Sequence, residues 1–349
     1  MRKITLAMVA MLAFASVGEG AEGPTPEAPD FEPLPALQPI TAENAGDVKL
    51  LRTLAIPEYQ RGRPSQCTVA FGPHGRFLAA TGGKTQVPVW DLSTGTLKRL
   101  LYDDPQQMVA GAFSPDGRVF ACAGFDRTIT LWDPESGDRL DSFGSHSSAI
   151  WDLAFSPDGR KLVSCSLSHD VRLWDVGSHE LLWSHDEGIT RRGYLSVAFE
   201  PSGERVAYGS LREQAGVLDA TNGERCHHLV EPADHVGDVA FSPSGGLLTA
   251  GCDDDLIYLW DALEYQLIAK LAGHSGYVNG VAFGPDESLL ISGSHDGTVG
   301  IWDVREQQLL ATLEGHEDSV LRVALNAEGT LIASISWDGT VRLWGIPTS

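Results

Sequence analysis

Residues 277–313 read YVNGVAFGPDESLLISGSHDGTVGIWDVREQQLLATL. Four short apolar runs are separated by turn chemistry. Tyr277 to Phe283 is the first run, and Gly284-Pro285-Asp286 breaks it. Ser288 to Ser294 is the second, and His295-Asp296-Gly297 turns the chain tightly. Thr298 to Trp302 and Leu309 to Leu313 complete the unit. Val, Ile, Leu and aromatic residues favour a pleated, half-buried backbone, while Pro fixes φ and Gly accepts positive φ. The stretch therefore reads as four short strands.

The unit recurs. Trp-Asp stands at Trp90-Asp91, Trp132-Asp133, Trp174-Asp175, Trp260-Asp261 and Trp302-Asp303, with Leu218-Asp219 and Trp344-Gly345 as degenerate copies. The intervals are 42, 42, 44, 42, 42 and 42 residues. A second marker, 19 residues before each of these positions, is Phe71, Phe113, Phe155, Phe199, Phe241, Phe283 and Leu325. Two markers in fixed register over seven copies define a repeat architecture. The turns Ser114-Pro115-Asp116-Gly117 and Ser156-Pro157-Asp158-Gly159 repeat with it.

Residues 48 to 345 resemble the WD-repeat family. The resemblance implies a seven-bladed all-β propeller, with four-stranded blades around a channel. The chain ends just after the third strand of the last repeat. Lys49 to Leu54 resembles Leu309 to Leu313 and is expected to supply the missing fourth strand, leaving no open edge.

The same resemblance implies a polar network inside each blade: a His 28 residues before the Trp, a Ser or Thr 10 before and an Asp 6 before. The full set falls at His274, Ser292, Asp296 and Trp302, and at His316, Ser334, Asp338 and Trp344. The third repeat has His146, Ser164 and Trp174 but Ser168 where Asp is expected. Asp126 and Asp254 lack the matching His, and Lys84 and Arg212 stand at the Asp position of repeats one and four. Blades six and seven are therefore expected to be the best specified.

The family's partners dock on a top face lined by residues 25, 23 and 7 before the Trp. On this chain the 7-before position gives Gly83, Phe125, Leu167, Leu211, Asp253, His295 and Trp337. The 23-before position gives Cys67, Val109, Trp151, Leu195, Gly237, Asn279 and Leu321, and the 25-before position gives His235 and Tyr277. Six of the nine Trp residues mark repeats and Trp183 falls near a loop, so Trp151 and Trp337 are expected as exposed anchors of a protein-binding surface.

Outside the repeats, Arg2 and Lys3 precede an uncharged run, Ile4 to Ala15, and Ala13-Phe14-Ala15 offers small residues for cleavage. Residues 1–18 read as a signal peptide cut near 15–21, too short to span a bilayer comfortably. Residues 19–47, with Pro24, Pro26, Pro29, Pro33, Pro35 and Pro39, read as an acidic tether, and 48–349 as the propeller. The expected address is periplasmic or extracellular, with no membrane span once the leader is removed.

A net charge of −22 argues against a nucleic-acid partner, because phosphate binding needs a positive field. The five cysteines are widely spaced and match no zinc or redox motif; they read as buried apolar residues. Hydrolase, nucleotide and metalloprotease motifs are absent. Asp253-Asp254-Asp255 is a poor calcium site, since three adjacent carboxylates cannot all face one ion. The expectation is a monomeric, non-catalytic interaction scaffold without a cofactor, steered towards basic partners by its acidic rim. The alternative is an enzyme or small-ligand or metal-binding propeller using His235, Asp253 and His295 at the channel mouth.

Overall fold

Each Trp-Asp unit builds one antiparallel sheet in the order of its strands. A computed structural model describes residues 32–348 except 58, 60–65, 84–85, 102–106, 187–192, 212–214, 230 and 232–233. The expected leader, the first part of the tether (19–31), and Lys84 and Arg212 lie outside the described residues. Apart from single 3-10 turns at Ala45–Asp47 and Pro73–Gly75, the regular structure of the described residues is all strand. No helix among them is long and apolar enough to cross a membrane.

Blade 6 shows the pattern. Its strands are Val278–Phe283, Leu289–Ser294, Val299–Asp303 and Gln308–Leu313. Each hydrogen-bonds the next, as in Leu290 opposite Trp302 and Val299 opposite Leu313. The other sheets keep this strand order, with the N-terminal strands completing blade 7, and each innermost strand packs against the next one round until blade 7 meets blade 1. The second strand of blade 6 is buried throughout, whereas its outermost strand starts exposed. Inner strands are covered on both faces by neighbouring blades, which is why they read as continuous apolar runs.

Ring closure follows the expected route. Lys49–Ala55 runs antiparallel to Thr340–Pro347, from Lys49 opposite Gly345 to Ala55 opposite Thr340. The last blade thus contains both ends of the ring, and no strand edge is left open between first and last blades.

The tether differs from expectation at its C-terminal end. Leu37 and Gln38 pair with Pro347 and Ile346, extending the edge that Lys49–Ala55 already covers. The Ile40 amide donates to the Gly329 carbonyl at 2.8 Å. Ile40, Ala45 and Val48 are buried with Leu289, Ile301, Leu313 and Trp344. Three apolar side chains spaced along a Pro-rich segment are enough to dock it, so this part of the segment belongs to the propeller rather than to a free linker.

Candidate functional site

Three polar relays lie inside the blades. In blade 6 the Trp302 indole N–H donates to Ser292 Oγ at 2.7 Å. Ser292 Oγ is 2.7 Å from His274 Nε2, and His274 Nδ1 is 3.0 Å from Asp296 Oδ2. An indole only donates and a carboxylate only accepts, so the direction is fixed: Ser O–H donates to Nε2 and Nδ1–H donates to Asp296. Blade 7 repeats this with Trp344, Ser334, His316 and Asp338 at 2.9, 2.8 and 2.8 Å.

Blade 3 has a complete relay too, contrary to the sequence expectation. Trp174 Nε1 donates to Ser164 Oγ at 2.8 Å, Ser164 Oγ is 2.7 Å from His146 Nε2, and His146 Nδ1 is 2.7 Å from Asp170. The carboxylate comes from two positions later than in blades 6 and 7. Asp296 and Thr298 of blade 6 are replaced by Ser168 and Asp170, so hydroxyl and carboxylate have exchanged places around the turn. Thr298 Oγ1 donates to Asp296 at 2.6 Å, and Ser168 Oγ donates to Asp170 at 3.1 Å. The residue between them needs positive φ in all cases. Gly297 supplies it at 84°, and His169 takes 78°.

Burial pushes the Asp170 and Asp338 carboxyls up. Hydrogen bonds from His146 and Ser166 in one case, and from His316 and Thr340 in the other, outweigh it and hold both well below the usual carboxylate range. Burial lowers the His274 imidazole, against the pull of Asp296. Ser–His–Asp has the connectivity of a hydrolytic triad. Here Ser164, Ser292 and Ser334 are fully buried, and each Oγ already accepts an indole N–H. The geometry serves blade cohesion, with no path for a substrate to the hydroxyl.

The other blades substitute. In blade 5 the Tyr258 hydroxyl donates to Asp254 at 2.6 Å while its ring stacks on Trp260, so Tyr takes the place of His. Blade 4 lacks the Trp and packs buried Tyr208 edge-on against Tyr194. Trp183 lies in the outer strand of blade 3, is buried, and donates to the Ala220 carbonyl of blade 4 at 3.2 Å.

The expected docking residues sit on one edge for a backbone reason. In blades 2–7 the residue following the second strand donates its amide to the residue preceding the innermost strand. The pairs are Phe125 to Gln107, Leu167 to Ala149, Leu211 to Gly193, Asp253 to His235, His295 to Tyr277 and Trp337 to Ser319. Two arcs result. Over blades 2–4, Phe125 is exposed and Leu167 and Leu211 are half-buried. A Cβ on Gly193 would lie 2.7 Å from Leu167 Cδ2 and 3.0 Å from Leu211 Cδ1, so the bare glycine lets these leucines converge.

Over blades 5–7 the arc is aromatic and polar. His235 Nδ1 is 3.0 Å from Asp253 Oδ2. Tyr277 stacks on exposed His295 at 5.4 Å, and half-buried Trp337 meets His295 edge-on at 5.8 Å. Asp253 faces His235, Asp254 is taken by Tyr258, and Asp255 lies in the turn at φ 71°. Among the described residues no group of three or more His, Cys, Asp or Glu side chains is placed to hold a metal ion.

Five of the seven residues at the 23-before position are internal: Cys67 and Val109 are 0% exposed, Trp151 1%, Leu321 6% and Leu195 7%. The Trp151 indole donates to Gln66 of the first blade and the Phe125 ring meets its edge at 6.0 Å. Trp151 fills the ring interior and supports Phe125 from beneath, so it cannot act as an exposed anchor. The five cysteines are free thiols; only Cys226 is exposed.

Sequence reasoning missed the next residue along. In six blades the first strand carries a register shift, as between Ile150 and Asp152, so that two consecutive residues oppose one on the second strand. Such a bulge re-aims side chains. The residues one after the 23-before position include Asp152, Ser196, Asp238 and Arg322, all buried. The visible signal was a charge inside an otherwise apolar strand run.

The family model described as WD domain, G-beta repeat matches residues 106–133, 137–175, 223–261, 265–303 and 307–345, just over half of the chain. The matches end one residue after the Trp of blades 2, 3, 5, 6 and 7; the two blades without one carry the most altered relay positions. No curated protein matches the chain.

Proposed function

The chain belongs to the WD40 repeat family, and from that premise we propose that it is an exported, monomeric, non-catalytic scaffold that docks a protein partner on the two-arc edge. WD40 propellers are usually interaction platforms, although a fold alone does not assign a function. The observation that carries the reading is the division of that edge. Phe125, Leu167 and Leu211 offer adjoining apolar surface, while Tyr277, His295 and Trp337 offer aromatic rings beside the His235–Asp253 pair. Aromatic anchors surrounded by partly covered apolar side chains are the composition of binding hot spots. The charge of −22 steers partners of opposite sign, so the partner class is a basic protein segment with apolar side chains. Export rests on the leader-like residues 1–18.

The test is crosslinking in the native host with the full chain, then with Phe125→Ala combined with His295→Ala. Loss of the crosslinked partner with an unchanged melting midpoint supports the assignment. Full retention of partners by a folded double variant overturns it.

A further inference from the structure

The ring interior contains a continuous polar girdle that neither the relays nor the docking edge use. Asp152 of blade 3 accepts the Val197 amide of blade 4 at 3.0 Å and the Leu153 amide at 2.9 Å. Ser196 of blade 4 donates to Asp238 of blade 5 at 2.7 Å, and Asp238 accepts the Val281 amide of blade 6 at 3.0 Å. Arg322 reaches back from blade 7 to the Asn279 carbonyl of blade 6 at 2.6 Å and the Gly237 carbonyl of blade 5 at 3.2 Å. Its other terminal nitrogen is 3.7 Å from Asp238. Close approach at Gly280 permits this, since a Cβ there would lie 2.8 Å from the Arg322 Cα. Five consecutive blades are therefore tied through their innermost strands by three charged side chains, all less than a tenth exposed.

The charges do not balance. Two carboxylates share one guanidinium, whose Nη1 is committed to two carbonyls and whose Nη2 lies 3.7 Å from Asp238, beyond hydrogen-bond distance. The charged and titratable groups around Asp152 are Asp238, Arg322 and the Cys165 thiol. Burial pushes that thiol well up, so it stays neutral. An unbalanced buried charge is costly, and the least costly remedy is a proton. We propose that Asp152 is the proton-binding site of this girdle, so that the ring is held more firmly as the medium acidifies.

The direction is consistent with the surroundings of the carboxyl. Burial pushes Asp152 up to about 6, Asp238 adds to the rise, and Arg322 and the two amides only partly offset it. A group raised on folding contributes stability below its unfolded value, about 4, and loses it as pH climbs through the folded value. The window is therefore roughly pH 4 to 7.

Carboxyl-carbon NMR of the full chain with labelled aspartate tests this. The resonance missing from Asp152→Asn should titrate near pH 6 in the wild type; a midpoint near 4 overturns the proposal. Denaturation between pH 5 and 7 gives a second reading: the wild type should lose stability relative to Asp152→Asn as pH rises, and parallel curves overturn it. If Asp152→Asn does not fold, Asp152→Ser serves for assignment. If neither folds, the wild-type spectrum decides, since the absence of any aspartate midpoint above about pH 5 defeats the idea.

Discussion

Asp170 Oδ1 lies 2.7 Å from His146 Nδ1, although it occupies the repeat position that belongs to Thr298 in blade 6 and Thr340 in blade 7. The relay is thus defined by where a carboxylate can reach the imidazole, and the turn offers two such places. Asp170 uses the second and gains Arg172, whose Nε donates to it at 2.7 Å.

Asp170→Ala should therefore cost blade 3 its relay, while Ser168→Ala removes only a supporting hydroxyl. The expected loss is about 2–3 kcal/mol for the first and under about 1 kcal/mol for the second. Urea denaturation of the two variants compares them. Equal losses would remove the distinction between the two positions.

Acid should weaken the blades through the same groups. Asp170 and Asp338 are held below their unfolded value, so their stabilisation is present above about pH 4 and disappears as pH falls through the folded values. His274 is also lowered, so the unfolded chain takes that proton first, and its contribution fades as pH drops below about 6.5. Asp338→Ala should be destabilised by about 1–3 kcal/mol at pH 7 and approach the wild type at strongly acid pH. A gap that stays constant down to pH 2 counts against the relay as its source.

Docking of the segment before the closing strand makes a further prediction. Ile40 is 6% exposed and Leu54, within the closing strand, is 7% exposed. Replacing either by Ala should cost about 2–4 kcal/mol, because both leave cavities between strands. If Ile40→Ala leaves the melting midpoint unchanged, residues 37–48 are a passive tether after all.

Phe125 and Trp151 touch, yet their substitutions should read differently. Trp151→Ala opens the ring interior and should cost about 3–5 kcal/mol. Phe125→Ala removes a side chain 38% exposed and should cost less than about 1 kcal/mol while reducing partner capture. Measuring both properties on both variants separates support from contact. Unimpaired capture by a folded Phe125→Ala protein excludes that ring as an anchor.

The ring, its blade count and its closure were readable from the chain because they depend on periodicity. A Trp-Asp mark every 42 to 44 residues and an aromatic 19 before it each record one strand in one place. The relays of blades 6 and 7 were readable for the same reason. What counting could not reach was reach itself. Asp170 meets His146 because a side chain two positions along a tight turn still points to the same imidazole. Trp151 turned inwards, with Asp152 beside it, because a bulge places two consecutive residues against one. The segment around Ile40 is covered by side chains of blades 6 and 7, which are about 250 to 300 positions away in the chain. Spacing in the sequence determined which strand a residue joins. The tertiary structure alone decided which residue it faces, since that depends on contacts between blades about 40 to 85 positions apart.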